Sequence, residues 1–343
     1  MIVKDIPIYG RHSIFEYILE KRDSSMKIEQ KKEHTLKIKR KNLSLDDYAR
    51  LYYNENLIEV NGQKYPLILI NEFNDLEKQK ILVEDRPYEV PQRFKKFVDS
   101  ALREKLMPGM YNSIPVVRIG KIKTEGETIR LNIQKSDYFS FIGTNLSQDD
   151  YLSQFDESFE DGQTLREHEI ENGKAVELHK SNLANVFGMM FSVLNEKEKF
   201  FILDIRNRNL IVNPGTCGLL GGTPRWDDLS RIGAAHFSRY LGEHYEEEMK
   251  EELCLNKNEI KFKKSYWLNE LTRAPLLLAC LTTDVSMEEI AKRCEKSEMA
   301  KKEHGSLLMV PATAETIYSL AKDSKGYKLN HSCIPGLYLA LKN

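Results

Sequence analysis

Apolar and polar residues alternate, or recur at helical spacing, along most of this chain, and the pattern predicts a mixture of strands and helices. Two apolar runs flank Asn61-Gly62 in LIEVNGQKYPLILI, which is typical of a β-hairpin. The segment PQRFKKFVDSALREKL is amphipathic and predicts a helix with Pro91 near its first turn. The first hundred residues therefore have α+β character.

The rest of the chain repeats this mixture without a regular βαβ order. PVVRIGKI and ETIRLNIQ predict one pair of strands, and VFGMMFSVL and KFFILDIR predict a second pair around the polar turn NEKE. Farther on, the predicted strands APLLLACLTT and SLLMV alternate with the predicted helices SMEEIAKRCEK and TAETIYSLAK. The expected fold class is therefore α/β or α+β with a mixed sheet.

The chain has 343 residues, which exceeds a typical single domain. The segment MPGMYNSIP interrupts the pattern and is the candidate boundary. We therefore expect an N-terminal α+β domain at residues 1–110 and a second domain at residues 111–343.

Charge and cysteine usage set limits on location and partners. Lys and Arg number 51 and Asp and Glu 52, so the net charge of -1 gives no electrostatic reason for a nucleic-acid or membrane partner. The basic stretch 26–41 is more typical of a solvated strand face, so nucleic-acid binding is the less favoured hypothesis. Five dispersed cysteines without a C-x-x-C pair indicate reduced thiols. No signal peptide or long apolar run is evident, and a cytoplasmic location is expected.

The segment HYEEEMKEELCL has the most unusual composition, since five of the seven residues from Glu246 to Glu252 are glutamates. At helical spacing, three carboxylates share an arc of about 100° beside an apolar stripe. The carboxylates are Glu248, Glu251 and Glu252, and the stripe is Tyr245, Met249 and Leu253.

Two interpretations of this cluster remain open. Glutamates favour helices, and a run of them is usually a solvated face. Like charges held this close repel one another unless a cation lies between them, and oxygen ligands suit Mg²⁺, with Mn²⁺ as a substitute. The second interpretation makes Glu248, Glu251 and Glu252 metal ligands.

A glycine-rich segment, NPGTCGLLGGTPRWDD, precedes the glutamates. Glycine permits positive φ angles and close approach of the backbone to a ligand. Leu219 and Leu220 stand directly before Gly221-Gly222. The segment therefore predicts a short strand that ends in a tight turn.

Together these segments resemble the Nudix hydrolases, whose motif is G-x5-E-x7-R-E-U-x-E-E-x-G-U, where U is aliphatic. Gly222 matches the first glycine, and Asp228 stands in place of the first glutamate at the same spacing. The helix then matches in register through Glu248, Met249, Glu251, Glu252 and Leu255. The resemblance covers about residues 180–285.

The match departs from the family motif at several points. Eighteen residues separate Asp228 from Glu247 where the family has seven, an excess of about three helical turns that leaves the helix face nearly unchanged. Glu247 replaces the arginine of the motif, and Cys254 replaces a glycine. A second register, starting at Gly233, places Arg239 where a glutamate belongs.

The resemblance implies a Nudix-type α/β/α sandwich and metal-dependent hydrolysis of a nucleoside diphosphate linked to another group. Glu248, Glu251 and Glu252 would be both the catalytic and the metal-binding residues, with Mg²⁺ or Mn²⁺. Gly221, Gly222, Arg206 and Arg225 would bind a nucleotide-type substrate, and a homodimer is one assembly that the sequence allows. Glu247 favours the rival hypothesis, a Nudix-fold module that binds a nucleotide or a protein without hydrolysis.

Overall fold

The structure is a computed structural model. It describes residues 2–7, 13–18, 38–44, 47, 50–51, 57–74, 76, 79–84, 86–106, 113–126, 128–208, 215–270, 272–324 and 326–342. The basic stretch 26–41 lies mostly outside these residues.

The described residues contain sixteen strands and eight α-helices. The strands are β1 (Ile2–Pro7), β2 (Ser13–Ile18), β3 (Leu57–Val60), β4 (Gln63–Phe73), β5 (Gln79–Val83), β6 (Pro115–Glu125), β7 (Thr128–Asp137), β8 (Ile170–Glu171), β9 (Lys174–Ala175), β10 (Gly188–Asn195), β11 (Phe200–Arg206), β12 (Cys217–Gly218), β13 (Leu220–Gly222), β14 (Ile260–Glu270), β15 (Pro275–Thr283) and β16 (His304–Pro311). The helices are α1 (Lys95–Lys105), α2 (Tyr138–Gly143), α3 (Trp226–Ile232), α4 (Phe237–Leu253), α5 (Met287–Cys294), α6 (Glu298–Glu303), α7 (Ala314–Lys322) and α8 (Cys333–Leu341).

A sheet of eleven strands forms the centre of the fold, in the order β1-β2-β16-β11-β10-β15-β14-β4-β3, with β12 paired to β11 and β13 paired to β10. β10 and β15 are parallel, and the other pairs in this sheet are antiparallel. A smaller sheet has the order β5-β7-β6. The predicted mixed α and β content with a mixed sheet is confirmed.

The predicted hairpins form where the turn residues indicated them. β3 and β4 flank Asn61 and Gly62, whose φ angles of 50° and 78° allow the chain to reverse within two residues. β6 pairs with β7, and β10 pairs with β11, as the alternating patterns predicted.

The central sheet contains strands from both sides of the expected boundary at residue 110. β2 pairs with β16, and β4 pairs with β14, so strands from the start of the chain extend the two sides of a sheet whose middle comes from the C-terminal part. The sheet of residues 111–343 is thus continuous with strands of residues 1–110, and the proposed division at residue 110 does not separate two sheets.

Helices cover both faces of the central sheet. One buried cluster joins α3, α4, α5 and α6 to the sheet through residues such as Phe191, Leu220, Met249 and Ile290. A second cluster on the other face joins α7 and α8 through residues such as Ile317 and Leu337. The strand β15 lies between these two layers, and all nine of its residues are buried.

β10 and β11 diverge after their first few pairs. The two strands pair with each other only next to their hairpin turn, from the pair Val193 and Ile202 to the pair Asn195 and Phe200. Beyond those pairs, β10 pairs with β13, and β11 pairs with β12. The glycine-rich segment therefore occupies the gap between two strands of the sheet, where it borders a cleft.

Candidate functional site

The helix α4 carries the clustered glutamates and packs on the sheet through its predicted apolar stripe. Met249 and Leu253 are fully buried, and the ring of Tyr245 stacks on Phe262 with 6.5 Å between centroids. This stripe fixes the rotation of the helix, so Glu252 is buried, Glu248 and Glu251 are partly buried, and Glu247 is exposed.

His244 lies on the same helix, one turn before Glu248, and is buried although its neighbours in sequence are polar. Its side chain is only 8% exposed, and Nε2 lies 3.6 Å from Oε1 of Glu248. Burial, with a contribution from the positive charge of Arg225, lowers the pKa of His244 to about 3. The imidazole is therefore neutral at pH 7 and adds no positive charge beside the glutamates.

The carboxylate of Glu248 lies directly against the backbone of Gly222. A Cβ atom at position 222 would be 2.1 Å from Oε1 of Glu248, and a Cβ at position 221 would be 2.5 Å from the carbonyl oxygen of Met189. Both distances are far below van der Waals contact. Glycine is thus required at position 221, where the neighbour is backbone, whereas a side chain at position 222 would displace the Glu248 carboxylate.

The C-terminal end of α4 is anchored by a buried histidine. Nε2 of His304 donates to the backbone carbonyl of Glu252 over 2.9 Å, and Nδ1 is 2.6 Å from Oδ1 of Asp204. Cys294 Sγ also contacts the Glu252 carbonyl, at 3.6 Å. Because His304 belongs to β16 and Asp204 to β11, these contacts fix the position of Glu252 relative to the central sheet.

A cleft of about 220 Å³ opens on the other side of Gly222, where β10 and β11 diverge. We call its first side the glycine wall, formed by Gly221 and Gly222 with Glu248 behind them. Arg206, at the end of β11, also lines the cleft.

A second part of the lining, the histidine wall, consists of Glu270, Thr272, Asn330 and His331. Nε2 of His331 lies 3.0 Å from Oε1 of Glu270, and the Thr272 hydroxyl donates to Oε2 over 2.9 Å. Burial raises the pKa of the Glu270 carboxyl, but the charge and hydrogen bond of His331 and the bond from Thr272 outweigh it, so the pKa is lowered. For His331, burial lowers the pKa, but the charge of Glu270 and its hydrogen bond raise it overall.

The candidate residues are thus distributed over two places. Arg206, Gly221 and Gly222 line the cleft, whereas Glu248, Glu251 and Glu252 lie on α4 behind the glycine wall. Arg225 is exposed at the start of α3, close enough for its charge to affect His244. Asp228 forms a surface ion pair with Arg231 at 3.5 Å. Sequence reasoning missed the histidine wall, because Glu270 and His331 belong to no local motif.

The acidic face of α4 offers only carboxylate oxygens to a cation such as Mg²⁺. Among the described residues, no three His, Cys, Asp or Glu side chains are arranged to hold one ion. Mg²⁺ is commonly held by one or two carboxylates and completed by substrate phosphate and water. The donors, all oxygen atoms, fit that mode of binding, and a preformed cage of three carboxylates is absent from this part of the chain.

Within the described residues, every helix lacks the combination of length and apolar character needed to cross a bilayer. No family model matches the sequence, and no curated protein matches it. Among solved structures, the crystal structure of DR0079 from Deinococcus radiodurans aligns with 42% of this chain and 76% of its own, at 12% identity and a TM-score of 0.29. A likeness this weak carries no conclusion about fold or function.

Proposed function

We propose that the chain is a metal-dependent hydrolase of a nucleoside diphosphate linked to another group, built on a Nudix-type sandwich. The observation that carries the proposal is the contact between Glu248 and Gly222. It brings the first matched glutamate of the helix against the glycine that matches the start of the motif, at the rim of a cleft. Two segments that the resemblance associates are therefore neighbours in space.

In this proposal the glutamates of α4 and the arginines near the cleft have separate tasks. Glu248, Glu251 and Glu252 supply carboxylate oxygens for Mg²⁺ or Mn²⁺, and the apolar stripe and His304 hold those carboxylates in place. The bound ion would neutralise charge on the diphosphate and favour attack by water. Arg206 lines the cleft, where a guanidinium can pair with phosphate oxygens. The exposed position of Arg225 makes it the weaker candidate for this contact.

The rival function is a binding module that recognises a nucleotide or a protein without hydrolysis. Two observations favour it: Glu247 replaces the arginine of the motif, and the described residues contain no group of three metal donors. Glu247 is exposed and belongs to the outer surface of α4. Its negative charge therefore faces solvent and does not add to the carboxylates of the inner face.

One experiment separates the two functions. The full chain is incubated with a panel of nucleotide sugars, dinucleotides and cap analogues, with Mg²⁺ or Mn²⁺, and products are separated by chromatography. The hydrolase predicts metal-dependent cleavage of at least one compound, lost when EDTA is added. Calorimetric titration with ADP-ribose and Mg²⁺ completes the test. Binding without cleavage of any compound would support the nucleotide-binding module, and absence of both would reject the hydrolase and the nucleotide-binding module.

A further inference from the structure

The histidine wall holds an ion pair that uses one ring nitrogen of His331, Nε2, and leaves the ring partly exposed. The imidazole is 36% exposed and the Glu270 side chain 14%. A carboxylate oxygen accepts the hydrogen bond, so Nε2 of His331 carries a proton. Among the described residues, Nδ1 has no hydrogen-bond partner, and His331 lines the cleft. The second ring nitrogen is thus available to a ligand.

Both members of the pair are held rigidly by the backbone. Glu270 ends β14 at a tight turn, in which its N–H donates to Ala274 and its carbonyl accepts from Arg273. The segment just before His331 is hydrogen-bonded to Cys217 of β12. The Cys217 N–H donates to the carbonyl of Lys328, and the Asn330 N–H donates to the carbonyl of Cys217. His331 therefore lies between a segment attached to β12 and the first turn of α8.

The cleft has the size and lining for one ring system. Its volume of about 220 Å³ lies below the roughly 300–1,000 Å³ of pockets that enclose a whole drug-sized ligand. Tyr138 and Phe141 are partly buried aromatic residues at its edge, with centroids 6.0 Å apart. Aliphatic side chains such as Leu219 and Leu276 line its interior. A lining that combines aromatic and aliphatic side chains with a few polar groups matches a flat heteroaromatic ring with a polar edge.

We propose that His331 is a specificity-determining residue that hydrogen-bonds the edge of a nucleobase in this cleft, and that Glu270 is its positioning residue. This inference rests on the proposed function for the class of ligand, since a nucleotide substrate places a base within reach of the glycine wall. The hydrogen bond to Glu270 fixes the orientation of the His331 ring, and the hydrogen bond from Thr272 fixes the Glu270 carboxylate. His331 distinguishes bases by the donor or acceptor that each presents to Nδ1.

The test measures binding without hydrolysis. The full chain is titrated calorimetrically in EDTA with AMP, GMP, CMP and UMP, and with ribose 5-phosphate, which lacks a base. We expect one or two of the nucleotides to bind preferentially. His331→Ala should weaken binding of the preferred nucleotide about 10-fold, the worth of one hydrogen bond, and reduce its preference over the others. Affinity for ribose 5-phosphate should stay within 2-fold of wild type.

Two further variants separate recognition from a loss of structure. His331→Gln keeps a polar side chain and should fold if His331→Ala does not, while changing the order of preference among the four nucleotides. His179→Ala is the matched control, because His179 forms an exposed pair with Glu177 at 3.1 Å outside the cleft. It should leave all five affinities unchanged.

The role of Glu270 has its own readout in the pH profile of binding. Among the described residues, the ionisable side chains that line the cleft are Tyr138, Arg206, Glu270 and His331. Glu270→Gln removes the negative charge that favours the imidazolium. The midpoint of nucleotide binding against pH should therefore shift to lower pH, whereas a purely structural role would lower affinity equally at every pH.

The outcomes distinguish this inference from the proposed function. Base-selective binding that depends on His331, without cleavage under any condition, supports the inference and rejects hydrolysis. Cleavage that His331→Ala leaves unchanged in rate and base preference rejects the inference and retains the hydrolase. Equal loss of ribose 5-phosphate and nucleotide binding in His331→Ala, or no binding of any nucleotide to the wild type, also overturns it.

Discussion

The two walls of the cleft differ in how their residues come together. On the glycine wall, Glu248 and its neighbouring glutamates belong to one helix and are recognisable from spacing along a short segment. On the histidine wall, the two ends of the ion pair are 61 residues apart in the chain, and no local pattern connects them. A site assembled from a local motif can be found in a sequence, whereas one assembled from distant segments is visible only in the tertiary fold.

The largest expected effect tests the glycine wall. Glu248→Gln and Glu252→Gln should each lower kcat by about 100-fold or more, because a lost carboxylate removes transition-state stabilisation on the order of 3 kcal/mol. The rates are measured with Mg²⁺ on whichever compound of the panel is cleaved. Glu247→Gln is the matched control, since this exposed glutamate is on the same helix and should change kcat less than 3-fold. Equal losses in all three variants would contradict the assignment of the inner face.

The second effect concerns the contact between strand and helix. Gly222→Ala places a methyl group 2.1 Å from the Glu248 carboxylate, so the carboxylate, the helix or β13 must shift. We expect a loss of about 1–3 kcal/mol in the free energy of unfolding, measured by urea denaturation.

Gly242→Ala is the control for this substitution. The nearest atom to a Cβ at position 242 is Cε1 of Tyr245, at 3.9 Å, and the residue lies inside α4. Alanine there should leave stability unchanged or raise it by about 0.5–1 kcal/mol. A Gly222→Ala protein as stable as wild type would show that the Glu248 side chain moves aside without cost, so that its contact with this strand does not stabilise the fold.

The smallest effect tests the histidine wall through pH. The pKa of Glu270 is lowered from 4.5, so its stabilisation is present above pH 4.5 and is lost as pH falls through the folded-state value. The pKa of His331 is raised from 6.5, so its stabilisation is present below pH 6.5 and is lost as pH rises through the folded-state value. The pair therefore stabilises the fold most between about pH 4.5 and 6.5.

Glu270→Gln should lower the free energy of unfolding by about 0.5–1 kcal/mol in that window, since solvent screens the partly exposed imidazole. The loss should diminish as pH rises above the folded-state pKa of His331. Urea denaturation of both proteins at several pH values measures the difference. A loss that is constant from pH 5 to pH 9 would show that the two residues do not interact as an ion pair.

The sequence predicted the elements that local patterns determine. Asn61-Gly62 located a hairpin, and the spacing of Tyr245, Met249 and Leu253 located the buried side of α4. His244 could not be placed this way, because a polar residue between charged neighbours gives no sign that the sheet covers it. The sequence also did not predict that strands from the two ends of the chain join one sheet, because pairing between distant segments produces no pattern along the sequence. The metal ligands and the function remain predictions.

The pairing of the first strands with the last ones has a consequence for synthesis on the ribosome. Tyr17 of β2 lies opposite Leu307 of β16, so its partner is made only when most of the chain has been translated. At a translation rate of about 5–20 residues per second, β16 is synthesised on the order of tens of seconds after the early strands. During this interval their unpaired backbone groups can bind other strands. Nascent chains truncated before residue 304 should therefore depend on chaperones more than the completed protein does.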